Sequence, residues 1–469
     1  NGFLSHNDRN TDYYVTDVRA NARFALLERS ALDFKAGFQR REQVIDQEAL
    51  LYRWSYLGTT ALPHDPTFAT FDTVKTGRRM PIWEASMIIN GHKPVVPALW
   101  REDVYFHEQN VYTGDRDAVE TSTAGYSMVQ GRLGRTGYLA GVRTERTDTE
   151  GAGFVRARRP SSAAEQAADP VGAARRDYAN LYRVTTGRYT QPFPSAHLTH
   201  DVTRNLKARL SWSNSFGRPN MSNFIQTETP NEAAQILTVS NPSLLPQSAK
   251  NWDAALEYYF EPVGSLSAGW FHKTIRDYIV TGVEVGIVPS GTNNGYDGEY
   301  AGFSERTSVN AGTAYVQGWE FSYQQQFSFL PGALKGLSAS INYTVLDTHG
   351  DFGGTTSLSN GQVAGFRPRT ANFSLFWRHR AVSAQVLVNY HGDYLSTYSA
   401  ASPALNLFQT SRTLVDVGVA WQVRPAISLT CNVANLFNEP QVFYRGYADR
   451  MQRTLINGTT ITLGVGGRF

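Results

Sequence analysis

The residues that could do chemistry are spread along the chain and form no recognised catalytic motif. No H-E-x-x-H, P-loop, G-x-S-x-G or EF-hand pattern occurs, so we expect no enzyme activity and no bound cofactor. His64, His92 and His107 share one long segment between predicted strands, where histidines are ordinarily solvent-exposed. A metal site built from them would require a particular loop fold, and we predict none.

Two acidic stretches invite a calcium interpretation. Asp115 and Asp117 are followed by Glu120, and Asp148 is followed by Glu150. Hard cations prefer clustered carboxylates and carbonyl oxygens. Solvated surface charge explains the same residues more simply, so calcium is kept only as the alternative.

Aromatic residues are concentrated in the longest segment between predicted strands, residues 47–118. Exposed aromatic side chains on a loop often contact a ligand or partner, for example by stacking on sugar rings or flat chelates. Packing of the segment on itself is the open alternative. The predicted ligand-binding residues are Trp54, Tyr56, Trp83, Trp100 and Tyr105.

The composition excludes several classes of protein. Mean hydropathy is −0.36 and no apolar run approaches the roughly 18 residues that a spanning helix needs, which excludes a helical membrane protein. A single cysteine, Cys431, rules out a disulfide framework and a cysteine-based zinc site. The net charge of +3 is too small to indicate nucleic-acid binding.

Apolar and polar residues alternate along most of the chain. Near its end, Ile461, Leu463 and Val465 alternate with Thr460 and Thr462. A period of two predicts a β-strand with one apolar and one polar face. About fifteen segments of roughly 9–14 residues show this pattern, which is the length of a tilted membrane strand. They are 13–26, 31–46, 119–133, 137–150, 191–201, 205–215, 250–260, 264–280, 312–327, 336–348, 368–379, 381–398, 411–422, 425–434 and 458–469.

The connections between these segments alternate between short and long. Residues 133–136 and 201–205 are short connections, whereas 151–190 and 216–249 are long ones. A transmembrane barrel has short periplasmic turns at one end and long extracellular loops at the other. The pattern therefore predicts an all-β, antiparallel transmembrane barrel, although each segment alone also fits a soluble sheet.

Charged residues occupy the polar face of the predicted strands. Lys207 and Arg209 alternate with Ala208 and Leu210, and a charge at the bilayer midplane of a lipid-facing strand costs about 2–4 kcal/mol. We therefore expect such charges to face the lumen, where they either line a transport path or pair with one another. The set is Arg143, Glu145, Lys207, Arg209, Asp253, Glu257 and Glu320.

Several stretches of the sequence resemble TonB-dependent outer-membrane receptors. They are residues 120–151, 204–224 with its Gly-Arg-Pro-Asn loop, 241–279, and the Asn-Val-Ala-Asn-Leu-Phe of 432–437. Within 241–279, Asn251, Trp252 and Asp253 stand where the family usually has Asn-Tyr-Asp. Each stretch is weak alone, and the resemblance rests on their combination over most of the chain.

The resemblance implies a barrel of about 22 strands with an N-terminal plug inside it. Such receptors import an iron chelate, cobalamin or a carbohydrate across the bacterial outer membrane with energy from TonB. The implied partners are TonB through the plug, outer-membrane lipid, the barrel-assembly machinery and a small-molecule ligand. A passive porin and a structural, partner-anchoring barrel stay open as alternatives.

The chain departs from the family pattern at its beginning. About seven strands and the plug are not found, and Asn1 is preceded by neither a starting Met nor a secretory signal. We therefore expect residues 1–469 to be the C-terminal part of a receptor barrel.

The last strand resembles the signal that barrel-assembly machinery reads. Thr462, Gly464 and Phe469 stand at its polar, glycine and aromatic positions, whereas Gly467 departs from the usual hydrophobic residue. The alternative is that Phe469 is simply an aromatic anchor at the membrane interface.

Overall fold

A computed structural model describes residues 3–27, 32–59, 62, 71–73, 78–80, 88–232, 234–351, 361–399 and 402–467. Its main element is one antiparallel sheet in which fifteen strands follow each other in chain order, each hydrogen-bonded to the next. These strands are β1 Phe3–Leu27, β2 Leu32–Tyr56, β3 Arg116–Leu133, β4 Thr136–Phe154, β5 Tyr182–Asp201, β6 Leu206–Gly217, β7 Gln247–Phe260, β8 Gly264–Arg276, β9 Thr313–Gln326, β10 Leu337–Asp351, β11 Arg369–His379, β12 Val382–His391, β13 Arg412–Arg424, β14 Ile427–Ala434 and β15 Thr460–Gly467.

Each of the fifteen predicted segments lies on one of these strands, which confirms the prediction of an antiparallel all-β fold. Five boundaries were clearly wrong. The segment predicted at 191–201 lies on a strand that begins at Tyr182. The segments predicted at 13–26 and 31–46 are strands of 25 residues each. The segment 264–280 stops at Arg276, because Asp277 takes a positive φ of 55° and the chain turns into a separate sheet. The segment 381–398 stops at His391, and a separate short strand begins at Tyr394.

The first two strands are much longer than a membrane requires. A strand of 25 residues extends about 85 Å at roughly 3.4 Å per residue, whereas about 9–11 residues span a bilayer. Their upper parts therefore rise beyond the bilayer at the end of the sheet that carries the long loops. As a result Trp54 and Tyr56 lie on β2, not in the predicted loop 47–118.

The two faces of the sheet differ as a membrane setting requires. Residues directly opposite each other on paired strands share a face, as Trp212 and Trp252 do. Leu463 is 76% exposed on the outer face, where only lipid could cover it. Cys431 lies opposite Val419 and Leu463, so it has the apolar, outward position that the alternation of the sequence predicts.

Short and long connections alternate strictly along the sheet. Short turns follow β1, β3, β5, β7, β9, β11 and β13, and seven long loops follow the even-numbered strands at the opposite end. We number these loops by order: the first is 57–115, the second 155–181, the third 218–246, the fourth 277–312, the fifth 352–368, the sixth 392–411 and the seventh 435–459.

The long loops contain all of the described helices longer than five residues. They are α1 Val104–Thr113 in the first loop, and α2 Ala163–Ala168 and α3 Pro170–Tyr178 in the second. Single helical turns lie at Ile88–His92, Lys93–Val95, Pro97–Leu99, Met221–Asn223 and Pro403–Leu405, and another, Gly332–Gly336, lies in the turn between β9 and β10. No helix in the described part of the chain is long and apolar enough to cross a membrane.

Small sheets join neighbouring loops to one another. One consists of Glu228–Asn231, Ile236–Val239, Ile279–Ile287 and Ser304–Asn310, and so connects the third and fourth loops. A second consists of Tyr394–Thr397, Leu407–Gln409, Gln441–Arg445 and Met451–Leu455, and connects the sixth and seventh. Phe71–Thr73 pairs with Arg78–Met80, and Trp100–Glu102 pairs with the upper end of β2.

The buried apolar residues lie mainly among the loops. One cluster contains Val280, Val363 and Leu395, and so joins the fourth, fifth and sixth loops. Another surrounds Leu237, which is fully buried between the third and fourth loops. Because these clusters connect consecutive loops, the loop end of the sheet carries a packed layer of its own.

Candidate ligand-binding site

The upper end of β2 and the first loop enclose a small apolar core. Tyr56 and Trp100 are buried, and their ring centres are 5.1 Å apart. The Trp100 indole N–H donates a hydrogen bond to His92 Nδ1 at 3.3 Å, and Leu4 and Ile88 complete the core. The structure thus gives two of the predicted ligand-binding aromatics a packing role, and ligand contact by them stays a prediction.

Trp54 lies at a cavity of about 340 Å³ beside this core. Lys93 Nζ is 3.4 Å from the centre of the Trp54 ring, a cation–π contact, and Trp54 also stacks on Tyr52. Trp100 and Glu102 line the same cavity. Lys93 therefore covers one face of the Trp54 ring, and its ammonium group and the Glu102 carboxylate are the charged groups that a ligand in this cavity would meet.

Tyr105 connects the first loop to the second. Its hydroxyl, on α1, donates a hydrogen bond of 2.6 Å to Asp177 Oδ2 on α3. Asp177 is 1% exposed and also accepts hydrogen bonds from the backbone N–H and the hydroxyl of Ser161. Burial raises the pKa of Tyr105 well above its usual range, so this hydroxyl remains protonated and continues to donate.

A second cavity, of about 620 Å³, lies between the end of β2, α1 and α2. Its volume is within the usual range for small-molecule sites. Arg53 is held there by an ion pair with Asp103 and stands 4.0 Å above the Phe106 ring, whereas Arg101 is exposed. The hydrogen-bonding side chains in its wall include Arg53, Arg101, Tyr105, Gln109 and Gln166. Arg53 is already paired with Asp103, so the exposed Arg101, beside the carboxylate of Glu102, is the cation that an anionic ligand could meet here.

Arg158 fastens the second loop to the third and fourth. Its Nη2 donates to Glu228 Oε1 at 2.8 Å, its Nε lies 3.8 Å from Asp297 Oδ2, and its guanidinium stands over the Tyr296 ring. The Glu228 side chain is only 3% exposed. Hydrogen bonding to Glu228 raises the pKa of Arg158, so the arginine remains charged. This contact ties the layer of loops together beside the two cavities.

Below the loops, two glutamates form the centre of a polar network on the inner face of the sheet. Glu120 on β3 and Glu145 on β4 are buried, and Arg218 from the third loop pairs with both. Arg143 Nη2 lies 2.8 Å from Glu145 Oε2 and 3.0 Å from Gln39 Oε1. The network therefore joins the neighbouring strands β3 and β4 to the third loop.

Other charged residues predicted to face the lumen also lie on this inner face. Arg209 pairs with Glu257 at 2.6 Å, and Lys207 stands beside the Tyr259 ring. For Arg143, Glu145, Arg209 and Glu257, the structure shows the mutual pairing that the sequence left open. Asp253 and Glu320 lie opposite inner-face residues of neighbouring strands, and a role for them in transport stays a prediction.

The comparison that decides the family covers nearly the whole chain. Residues 2–436 match the model of the family described as TonB dependent receptor-like, beta-barrel. The chain belongs to this family. No curated protein sequence shows significant similarity to it.

Solved structures of receptors and transporters share the fold of this TonB-dependent receptor barrel. The ferric yersiniabactin uptake receptor FyuA of Yersinia pestis has a TM-score of 0.56 at 14% identity, with 100% of this chain and 55% of FyuA covered. The copper transporter OprC has a TM-score of 0.56 at 12% identity, with 98% and 57% covered. The siderophore receptor PiuA of Acinetobacter baumannii has a TM-score of 0.57 at 12% identity, with 98% and 56% covered. The chain therefore spans just over half the length of these proteins.

Sequence reasoning missed three residues that organise the receptor's loop end: Asp177, Arg158 and Arg218. Each acts on residues far away in the sequence, and Arg218 is 73 positions from Glu145. Arg218 belongs to the Gly-Arg-Pro-Asn stretch that resembles the family, but the sequence did not indicate what this residue does. Nothing in the sequence distinguished Asp177 and Arg158, because single charged residues in a polar loop form no periodic pattern.

The acidic stretches Asp115–Glu120 and Asp148–Glu150 contact other side chains of the protein. Asp117 accepts a hydrogen bond of 2.6 Å from the Tyr182 hydroxyl. Burial, together with the nearby carboxylates of Asp117, Glu48 and Asp46, raises the pKa of Asp115. Within the described ranges, no three histidine, cysteine, aspartate or glutamate side chains are grouped to hold a metal ion. His64 and Trp83 lie outside the described residues.

The predicted assembly signal is partly described. Thr462 on β15 lies opposite Asn432 and Gly464 lies opposite Thr430, both on the inner face. Phe469 lies outside the described residues. The role of the three residues in assembly stays a prediction.

Proposed function

We propose that this chain provides the wall and extracellular loops of a receptor that imports a metal chelate across the bacterial outer membrane, with energy from TonB. The family match over residues 2–436 carries the proposal. FyuA and PiuA, which share the fold, are named for a ferric chelate and for siderophores. The two cavities of the first loop offer aromatic rings and the cations Lys93 and Arg101, next to Glu102, to a ligand with aromatic or conjugated surface and negative charge.

The proposed order of events follows from the position of the groups. The ligand first contacts the loop layer, where Trp54, Lys93, Arg101 and Tyr105 line the two cavities. It then passes to the lumen, whose upper wall carries the buried network around Glu145. Cobalamin and carbohydrates, the other ligand classes that the sequence resemblance implies, offer fewer negative groups to these cations.

We also propose that further strands and a plug complete the barrel. Among the described strands, β1 pairs only with β2 and β15 only with β14, so each has an open edge. An unsatisfied backbone group in lipid costs several kcal/mol, so both edges require a partner. The plug would provide the contact with TonB, and the barrel-assembly machinery would insert the completed protein into lipid.

Growth of a strain that lacks the gene tests the ligand class. The full-length gene should restore growth on one ferric chelate as the sole iron source, and restoration should require TonB. Restoration on cobalamin or an oligosaccharide would assign another ligand class to the same receptor. TonB-independent entry of many unrelated solutes would instead indicate a passive porin, and no uptake phenotype at all would favour a partner-anchoring barrel.

A pair of arginine variants tests the larger cavity. Arg101 lines it, whereas Arg175 is an exposed arginine on α3 that does not. Loss of a charge-assisted hydrogen bond weakens binding about tenfold or more, so Arg101→Gln should raise the half-saturating chelate concentration by that factor. Arg175→Gln should leave it unchanged, and equal effects of the two variants would remove the cavity from the proposal.

A further inference from the structure

The outer face of β2 to β5 changes abruptly from apolar to charged. Phe34, Val129, Ala140 and Ala196 lie opposite one another on these four strands. Six residues further along each strand toward the loops, the same face carries Arg40, Thr123, Arg146 and Thr190, which again lie opposite one another. The adjacent row places Arg188 opposite Asp148. We call Arg40, Arg146 and Arg188 the outer arginine cluster.

The height of this cluster can be estimated from the strand itself. Arg146 lies ten residues above Thr136, where β4 begins at the short turn. Ten residues extend about 34 Å, or about 26 Å along the membrane normal at a strand tilt of roughly 40°. The apolar band of such barrels is about 25 Å tall. Arg146 therefore lies at the boundary between hydrocarbon and headgroups on the side of the long loops.

At the centre of the cluster two arginines face one carboxylate, whereas Glu42 and Glu150 lie at its edges. Arg146 Nε lies 3.0 Å from Asp148 Oδ2, and Arg188 pairs with the other oxygen of the same carboxylate. Arg40 Nη2 is 4.0 Å from Glu42 Oε2. Two arginines thus share one aspartate, and both keep large exposed surfaces, 49% for the Arg146 side chain and 66% for that of Arg188.

We propose that the outer arginine cluster binds the phosphate of an anionic lipid in the leaflet on the side of the long loops. Guanidinium groups bind phosphate through two parallel hydrogen bonds, and basic groups at a membrane surface attract anionic headgroups. The cluster faces away from the lumen, so it is separate from the ligand cavities. The proposal concerns how the wall is held in its lipid and goes beyond the import function.

Lipid analysis of the purified full-length receptor tests the proposal. The receptor is extracted in mild detergent, and the phosphorus-bearing lipid retained per protein is measured by mass analysis. The double variant Arg146→Gln with Arg188→Gln should retain at least roughly fivefold less of this lipid than the wild type does. Lys250→Gln removes an exposed lysine from β7, two strands beyond β5 in the sheet, and should leave lipid retention unchanged.

A variant with the opposite expected effect separates lipid binding from simple ion pairing. Asp148→Asn removes the carboxylate that both arginines share, so it should increase lipid retention. The proposal would be overturned if the double arginine variant retained as much lipid as the wild type, or if Lys250→Gln lost as much lipid as that variant does. A decrease in lipid retention with Asp148→Asn would also overturn it. Heat-modified mobility on gels shows that every compared variant is folded, and chelate binding, measured in parallel, should be the same in all of them.

Discussion

The inner face of the wall differs between its first seven strands and its last seven. On the first seven, Arg23 pairs with Asp33 at 2.7 Å and Arg209 pairs with Glu257 at 2.6 Å. On the last seven, neutral residues such as Asn342 and Asn372 lie opposite each other, and the charged Glu320 on the same face forms no ion pair. We call the first seven strands the charged part of the wall and the last seven the neutral part. Among the described residues, no strand from β9 to β15 contributes to an ion pair.

This difference has physical consequences for the two parts of the wall. A buried charge depends on its partner, because removal of one member leaves the other uncompensated in a poorly solvated place. Small neutral side chains carry no such dependence and leave space. A groove of about 790 Å³ lies along the lower inner side of the neutral part, where Ser338, Gln385, Gly418 and Thr430 contribute to its lining. The charged part is therefore expected to be the more sensitive to substitution.

The largest expected effect is at Glu145. Glu145→Ala leaves Arg143 and Arg218 without their shared carboxylate, and loss of a buried partner costs about 3 kcal/mol. Asn342→Ala on the neutral part should cost less than about 1 kcal/mol. Urea unfolding of the full-length protein in lipid, followed by heat-modified mobility, measures both. Equal costs would remove the contrast between the two parts.

Two glycines offer a matched test of packing. A Cβ at Gly37 would lie 2.4 Å from a ring carbon of Tyr126 and 2.8 Å from the backbone oxygen of Ala20. The three atoms nearest a Cβ at Gly418 all belong to the flexible side chains of Asn432 and Gln385, with Asn432 Oδ1 at 2.7 Å. Overpacking typically costs about 1–3 kcal/mol, so Gly37→Ala should lower the free energy of unfolding by that amount.

The same unfolding measurement provides the control for the glycine pair. Gly418→Ala should change the free energy of unfolding by less than about 0.5 kcal/mol, because the neighbouring amides can move. If Gly418→Ala costs as much as Gly37→Ala, then the neutral part is packed as tightly as the charged part and the contrast is confined to electrostatics.

The smallest expected effect concerns the acidic rim above the charged part. Asp12, Asp46 and Asp117 lie opposite one another on β1, β2 and β3, and like charges in that arrangement destabilise a sheet. Asp46→Asn should therefore stabilise this corner by about 0.5 kcal/mol. Hydrogen exchange of the amides near the first loop measures the change, and weaker protection in the variant would contradict it.

The rim also predicts how stability depends on pH. Burial, with added repulsion from Asp117, Glu48 and Asp46, raises the pKa of Asp115 in the folded protein. A group with a raised folded pKa binds protons more tightly when folded, so stability increases as pH falls toward the unfolded value of about 3.9. Protection near Asp115 should therefore increase on acidification from neutral pH, and Asp46→Asn should reduce that increase.

The wall of the barrel could be predicted from the sequence much better than the loops could. Inside the bilayer one face meets lipid and the other meets water, so residues such as Ile427, Ser428 and Leu429 must alternate. Above the bilayer both faces meet water, and the polar extensions of β1 and β2 lack that constraint. The hydrogen bond from Tyr105 to Asp177 joins residues 72 positions apart. Such pairings arise from loop packing, which leaves no periodic signal.

The candidate site could also be predicted from the sequence only in part. The sequence identified the first loop as aromatic and placed Trp54, Trp100 and Tyr105 in it or beside it, and these residues do line the two cavities. It did not identify Arg53 or Arg101, because their value depends on the strand Trp100–Glu102 pairing with the end of β2. That pairing brings Arg53 and Arg101, which are distant in the sequence, to the wall of the same cavity.

We propose that the full-length protein is an energised receptor for a small anionic chelate. The most direct measurement is the initial rate of uptake of the radiolabelled ferric chelate by cells that express the protein, with and without TonB. We expect saturable uptake that requires TonB, while chelate binding at the cell surface persists without it. Uptake that is linear in chelate concentration and unchanged by the loss of TonB would show that the protein is not an energised receptor.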